Sequence, residues 1–321
     1  MEVYVTEKYF DIFESLLVKA AKDILSNTPT NINCIFQLLS SLPLKVNISD
    51  TEREKYQAIL GNKQYTTFKD RIISYAIKNQ RLYNDEYDYT SINNFNAYYF
   101  LDIDDTENPG LKNGIVVKDK TFDGTDFYAD CTVTHQEIAG DFNLLVNNIP
   151  PTNAMLIIDK YIFGHPFVTK LERLISFLNL YKKQELSIPF HLTILCSYQN
   201  GRQTVCTPAQ IQAAFERLSE IENLYFQIII DDNIPQDDRL IFTNYTKGNI
   251  GHPFDNRETV FNQKFLGFEN SAEKITKNYK VFVDNLKKWK TFINGVPKQM
   301  GAITMKYANN EFINRLFEFI D

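Results

Sequence analysis

Apolar and polar residues follow their most regular pattern in the second half of the chain. Apolar runs at 154–158, 191–196 and 224–230 have the length and composition of buried strands. Between them, residues 169–182 and 208–221 repeat apolar positions at helical spacing, and Thr207 followed by Pro208 is a typical helix start. A strand, helix, strand, helix, strand order predicts an α/β layer with a largely parallel core.

The first half of the chain has a less regular pattern of the same kind. Residues 3–5 and 97–103 are predicted strands, and residues 7–25, a charged segment from 51 onward and 68–80 are predicted helices. The apolar residues at 32–39 favour a second strand or a buried turn. Residues 112–114 predict a turn into a further strand at 115–117. This half therefore predicts an α/β module of its own.

The length supports two domains, because 321 residues exceed one typical domain of about 100–150 residues. The stretch 147–153 contains Ile149-Pro150-Pro151 and is the best linker. We therefore predict an N-terminal α/β module of unassigned role at 1–146. Residues 147–321 are predicted to form a second domain, a largely parallel or mixed sheet with helices on both faces.

Composition excludes several classes of protein and indicates a cytoplasmic one. An aromatic content of 14% argues against a disordered chain, and only 4 cysteines argue against a disulfide scaffold. These cysteines form no CxxC pair, which favours reduced thiols in a cytoplasm. The early acidic residues and the lack of a long apolar run predict neither a signal peptide nor a transmembrane segment. Heavy use of Asn, Ile and Lys favours a bacterial source.

The charge of the chain is unevenly distributed. Apolar residues recur at spacings of four and three from Ile275 through Phe282 to Trp289, which predicts an amphipathic helix at 270–294. The net charge of the chain is −6, yet this helix carries six lysines and only the acids Glu273 and Asp284 on its polar positions. Such a helix is either a solvated element that packs its apolar side on the sheet or a surface for an anionic partner. We predict a protein partner, with nucleic acid or anionic lipid as alternatives. The candidate contacts are Lys287, Lys288 and Lys290.

The segment 237–255 carries a resemblance to a known family. It contains Asp237-Asp238-Arg239-Leu240-Ile241-Phe242-Thr243-Asn244, followed by Ile250-Gly251-His252-Pro253-Phe254-Asp255. With the strands and helices that precede it, this segment resembles degenerate phospholipase-D-like domains with a His-Asp-Arg motif. Examples are the C-terminal domain of MIT-domain proteins and domains of bacterial proteins in phage-defence or mobile-element neighbourhoods. The resemblance covers about residues 150–260.

The resemblance implies a domain without phospholipase-D-type catalysis. The position of the family's nucleophilic His is Asp237, and the position of its Lys is Arg239. An aspartate cannot act as the imidazole nucleophile, so we expect a binding or regulatory protein with no cofactor. Arg239 then either pairs with an acid or holds an anion, since its planar fork suits both. Thr243, Asn244 and His252 either line the same pocket or, for the first two, make strand-end hydrogen bonds.

A rival prediction concerns the strand end at residues 100–106. The motif Asp102-Ile103-Asp104-Asp105-Thr106 resembles the first motif of haloacid-dehalogenase-type phosphatases. That resemblance implies a Mg²⁺-dependent phosphohydrolase with Asp102 as nucleophile and Asp104 as general acid/base. Asp231 and Asp232 are then the candidate metal ligands. The chain departs from that family because residues 198–230 contain no lysine. An acidic surface loop is the alternative.

Overall fold

The computed structural model divides the chain into two compact units. Unit 1 comprises residues 1–110, 115–127 and 266–281, and unit 2 comprises residues 111–114, 128–265 and 282–321. The structure describes every residue except 24–31, 63–65, 84–93, 95, 125–127, 129, 135–141, 143, 144, 146–148, 235–238, 251–253, 255–259, 270, 302, 319 and 321.

Unit 1 contains a five-stranded sheet in which every described pairing is parallel. Its strands are β1 (Glu2–Val5), β2 (Leu44–Lys45), β3 (Leu82–Tyr83), β4 (Ala97–Phe100) and β5 (Val116–Lys118). They lie in the order β3-β2-β1-β4-β5. The chain therefore builds outward from β1 on one side and then returns to add β4 and β5 on the other. The strand order reverses between β1 and β4.

The helices of unit 1 lie in the chain between these short strands. They are α1 (Tyr9–Asp23), α2 (Ile32–Ser41), α3 (Asp50–Asn62) and α4 (Phe68–Lys78). The short α5 (Gly110–Asn113) has its first residue in unit 1 and its others in unit 2. The predicted strand or turn at 32–39 is wrong, because this segment is helical. Ile35, Leu38 and Leu39 are all buried at helical spacing, so a short apolar run here serves one face of a helix.

Unit 2 contains an eight-stranded mixed sheet. Its strands lie in the order β17-β11-β8-β7-β12-β13-β14-β6. The bounds are β6 (Cys131–Thr134), β7 (Ala154–Ile158), β8 (Phe190–Cys196), β11 (Leu224–Ile230), β12 (Leu240–Thr243), β13 (Thr246–Ile250), β14 (Val260–Phe265) and β17 (Lys306–Ala308). Only β7–β8 and β8–β11 pair in parallel, so the predicted parallel core is limited to three strands. The other described pairs are antiparallel. Among them, β12, β13 and β14 follow one another as a meander.

Two small hairpins complete the strands of unit 2. One is formed by β9 (Gln199–Asn200) and β10 (Gln203–Thr204), directly after β8. The other is formed by β15 (Gln299–Met300) and β16 (Ile303–Thr304).

Helices pack on both faces of the mixed sheet. They are α6 (Phe167–Tyr181), α7 (Pro208–Ser219) and α8 (Ala272–Gly295), of which the part from Phe282 onward belongs to unit 2. Phe215 of α7 lies 5.2 Å from Phe226, ring centre to ring centre, and Phe282 of α8 lies 5.9 Å from Phe242. The register places Phe226 and Phe242 on opposite faces. Among the described residues, none of the helices combines the length and hydropathy that crossing a bilayer requires.

The boundary between the units differs from the predicted division at 146/147. Strand β6 lies before that point, but its described sheet partner is β14, so it belongs to unit 2. Conversely, the first turns of α8 belong to unit 1, where the hydroxyls of Tyr98 and Tyr279 are hydrogen-bonded. Pairing between residues far apart in sequence decides both assignments.

Candidate functional site

The parallel strands β7, β8 and β11 of unit 2 end at the same edge of the mixed sheet. The residues that directly follow them are Asp159, Ser197 and Asp231. Because β12 runs antiparallel to β7, it begins at this same edge. Arg239, the residue before β12, therefore lies beside Asp159. Its Nε donates to Asp159 Oδ1 at 2.9 Å, and both side chains are buried, at 8% and 4% exposure. Of the two roles predicted for Arg239, pairing with an acid is the one that the structure contains.

The buried pair has further polar neighbours. The backbone N–H of Tyr161 donates to Asp159 Oδ1 at 2.8 Å, and the Arg239 guanidinium lies 5.3 Å from the centre of the Tyr161 ring. Lys170 is also buried, and its Nζ donates to the Tyr161 carbonyl at 3.0 Å. Burial raises the pKa of the Asp159 carboxyl, while the positive charges of Arg239 and Lys170 oppose that rise. We call Asp159, Tyr161, Lys170 and Arg239 the edge cluster.

Thr243 and Asn244 lie at the other end of β12, away from Arg239. The four residues of β12 separate Asn244 from Arg239, and the five steps of extended chain span about 17 Å. Asn244 is fully buried, and its Oδ1 accepts from Thr152 Oγ1 at 2.6 Å and from the N–H groups of Asn153 and Ala154 at 3.0 and 3.1 Å. Thr243 Oγ1 lies 2.7 Å from Thr246 Oγ1. The structure therefore does not bring these two residues into a pocket with Arg239. They hold the chain at the starts of β7 and β13.

His252 of the predicted pocket lies outside the described residues, as does Asp237, which holds the position of the family's nucleophilic His.

The three candidate lysines of α8 differ in their surroundings. Lys287 and Lys288 are exposed, and the ammonium of Lys288 lies 5.4 Å from the centre of the buried Trp289 ring. Lys290 is half-buried, and its Nζ donates to the carbonyls of Phe317 at 3.1 Å and of Ile320. Lys290 therefore holds the C-terminal segment against the helix, and Lys287 and Lys288 are the two that face solvent.

The inner side of α8 agrees with its predicted apolar spacing. Its buried side chains are those of Ile275, Tyr279, Phe282, Leu286, Trp289 and Ile293. The lysines therefore lie on the polar side of an amphipathic helix.

Asp231 and Asp232, the candidate metal ligands, are engaged in turns. Asp231 Oδ1 accepts from the N–H of Asn233 at 2.7 Å, and Asp232 Oδ1 accepts from the N–H of Gln199 at 2.8 Å. Within the part of the chain that the structure describes, no group of three or more His, Cys, Asp or Glu side chains is arranged to hold a metal ion. These two aspartates belong to unit 2, whereas Asp102 and Asp104 belong to unit 1.

Asp102 and Asp104 follow β4, next to the reversal of strand order in unit 1. In open parallel sheets, ligands bind outside the carboxyl ends of the strands at such a reversal. Thr6 follows β1 and joins the two strand ends, because its N–H donates to the Phe100 carbonyl at 3.0 Å and its Oγ1 accepts from the Asp102 N–H at 2.8 Å. The Asp102 side chain is exposed.

Lys120 adds a positive charge to this edge of unit 1. Its Nζ lies 2.5 Å from Asp104 Oδ1, and the carboxylates of Asp104 and Asp102 raise the pKa of the lysine. The preceding residue, Asp119, is buried and accepts from Asn108 Nδ2 at 2.6 Å and from Thr121 Oγ1 at 2.6 Å, which lowers its pKa despite burial. These bonds fix the turn that carries Lys120.

Sequence reasoning missed several of these residues. Asp159 directly follows a predicted buried strand, which was a sufficient signal for a residue at the carboxyl edge. Thr6 carries the same signal, because it directly follows the predicted strand at 3–5. Its position beside Asp102, and that of Lys120, could not be predicted, because the adjacency of β1, β4 and β5 is set by the sheet order.

The comparisons with known proteins gave no match: the chain matches no protein-family model, no curated protein and no solved structure.

Proposed function

We propose that the protein is a non-catalytic binding protein whose unit 2 contacts an acidic partner protein through the polar side of α8. One observation carries the proposal. Lys287 and Lys288 are exposed on a helix whose opposite side is buried in the core, so their charges face outward from a rigid element. Rigid presentation lowers the entropy that binding costs.

The lack of catalysis is supported by the edge cluster. The position that resembles the family's catalytic lysine holds Arg239, whose guanidinium is already hydrogen-bonded to the buried carboxylate of Asp159. An arginine cannot lose its proton at neutral pH, and one that is buried in an ion pair is poorly placed to stabilise a transferred phosphoryl group. The edge cluster therefore suits a structural role in unit 2.

The proposal is tested with polyanions as probes. Labelled poly-glutamate represents an acidic protein, and a labelled DNA duplex represents nucleic acid. Wild type is compared with Lys287→Glu/Lys288→Glu, and with Lys112→Glu/Lys182→Glu as a control of equal charge change elsewhere on unit 2. We expect binding that weakens with salt and falls at least about tenfold in the first variant only, because two like charges then oppose the probe. Failure of wild type to bind poly-glutamate at low salt overturns the proposal.

A second candidate function, a phosphohydrolase in unit 1, is favoured by the strand order of that unit. Asp102, Asp104 and Lys120 lie outside the carboxyl ends of β4 and β5, next to the reversal between β1 and β4. In this proposal the Asp102 carboxylate attacks phosphorus and the bond to the leaving oxygen breaks, while Asp104 gives that oxygen a proton and Lys120 neutralises phosphate charge. Asp104 then takes a proton from the water that attacks the aspartyl phosphate, which releases inorganic phosphate and restores both carboxyl groups. No step is assigned to a metal ion.

Hydrolysis of p-nitrophenyl phosphate, with and without added Mg²⁺, tests this second function. We expect Asp102→Asn to abolish the activity, since an amide cannot act as the nucleophile. Asp105→Asn removes an exposed carboxylate from the same loop and should keep the activity. A wild-type protein without hydrolysis under either condition excludes this assignment for the substrate tested, and equal loss in both variants rules out a special role for Asp102.

A further inference from the structure

The segment 285–310 is the most one-sidedly charged part of the chain. It contains five lysines and neither Asp nor Glu, in a protein whose net charge is −6. It comprises the last turns of α8, the hairpin β15–β16 and the edge strand β17. The lysines are Lys287, Lys288, Lys290, Lys298 and Lys306.

The hairpin β15–β16 carries two exposed apolar side chains on this segment. Met300 is 60% exposed and Ile303 is 43% exposed, and they are direct partners across the two strands. Between them, Gly301 has φ +62, and a Cβ built there would meet no atom within 4 Å. The hairpin therefore holds two exposed apolar side chains side by side, next to open space at Gly301.

The base of the hairpin is held firmly in unit 2. The Ile230 N–H, at the end of β11, donates to the Met305 carbonyl at 2.8 Å, and the Met305 N–H donates to the Lys298 carbonyl at 2.9 Å. The Tyr198 hydroxyl donates to the Thr304 carbonyl at 3.3 Å, and the Met305 side chain is buried. The apolar tip is thus presented by an anchored element.

We propose that the hairpin β15–β16 is a contact element for an anionic lipid bilayer. Met300 and Ile303 enter the headgroup region, where apolar side chains gain by leaving water, and Lys298 attracts acidic headgroups. The inference rests on the proposed function, because Lys287 and Lys288 supply the remaining charge. It adds a lipid surface as a second anionic partner of the same lysines. A bilayer accounts for both features at once: a polyanion in water uses the lysines but leaves the apolar pair exposed.

Co-sedimentation with vesicles tests the inference. Vesicles of phosphatidylcholine with about 30% phosphatidylserine are compared with pure phosphatidylcholine, since acidic lipids set the surface potential. The variant Met300→Ser/Ile303→Ser removes the apolar pair without changing charge. The matched control Val168→Ser/Val260→Ser removes two apolar side chains that are 70% and 46% exposed elsewhere in unit 2. Circular dichroism checks that all variants are folded.

We expect wild type and the control to bind the phosphatidylserine vesicles. Met300→Ser/Ile303→Ser should bind them at least about tenfold more weakly, and Lys298→Glu should also weaken binding. Equal binding by wild type and the apolar variant overturns the inference, as does failure of wild type to bind. If the vesicles fail but poly-glutamate binding still depends on Lys287 and Lys288, the proposed function stands and only the lipid inference falls. If neither probe binds, both fall.

Discussion

The ion pair of Asp159 and Arg239 gives the sharpest test of how unit 2 is held together. The substitution Arg239→Met keeps an apolar stem of similar length and removes the charge. Asp159 is 4% exposed, so its carboxylate would remain buried, and its remaining partners among the described residues include the Tyr161 N–H and the charge of Lys170. Breaking a buried pair from one side costs about 3–5 kcal/mol, and the remaining partners favour the lower end of that range.

The single tryptophan makes the measurement specific to unit 2. Trp289 is fully buried in the part of α8 that belongs to this unit, so its fluorescence in urea reports the unfolding of unit 2. With a urea dependence of about 2 kcal/mol per molar, a loss of about 3 kcal/mol lowers the midpoint by about 1.5 M. Arg217→Met removes an exposed cation that pairs with Glu172, and it should leave the midpoint unchanged.

The double variant Asp159→Leu/Arg239→Met separates pairing from burial. Removing both charges leaves no buried ion, so we expect stability within about 1 kcal/mol of wild type. The reasoning is refuted if Arg239→Met lowers the midpoint by less than about 0.5 M. It is also refuted if the double variant is as unstable as the single one, because the cost would then come from lost packing.

Three further substitutions test other assignments in unit 2. Burial lowers the pKa of His191 from 6.5 to about 4, so the unfolded chain binds a proton that the folded state does not, and the folded state should lose on the order of 3 kcal/mol of stability as pH falls from 6.5 to 4. In urea unfolding at several pH values, His191→Phe should reduce this loss, whereas His165→Gln, at an exposed histidine, should not. Asn244→Ala leaves three buried donors without their acceptor and should cost at least about 3 kcal/mol in the same assay. Lys290→Met should lower stability by about 1–3 kcal/mol and leave poly-glutamate affinity nearly unchanged, whereas a tenfold loss of affinity would make Lys290 a ligand contact.

Local sequence patterns predicted those elements of unit 2 whose own residues contain a helix start or an amphipathic spacing. Thr207 and Pro208 predicted the start of α7, where the Thr207 and Gln210 side chains form a capping box. The spacing of Ile275, Phe282 and Trp289 predicted the buried side of α8. These elements follow from propensity and amphipathic spacing, which act within a few turns of chain.

Features that depend on distant pairing could not be predicted in this way. The partner of Arg239 lies 80 residues earlier, and it becomes a neighbour only because β12 inserts beside β7 in antiparallel orientation. The short apolar run at 32–41 fits a strand or a helix equally well until its neighbours decide. Lys290 has the same sequence surroundings as Lys287 and Lys288, but the C-terminal segment covers it. Only the folded structure therefore distinguishes the lysine that holds the C-terminal segment from the two that face solvent.

The pairing of β6 with β14 has a consequence for how the chain is made. Strand β6 leaves the ribosome about 130 residues before the partner that completes its edge of the sheet, and unit 1 receives its last segment, 266–281, later still. Neither unit is complete until most of the chain has been synthesised, so unit 1 cannot fold long before unit 2, as N-terminal domains usually do. We expect nascent chains that end before residue 260 to be poorly protected from proteases, and protection to rise steeply for longer ones.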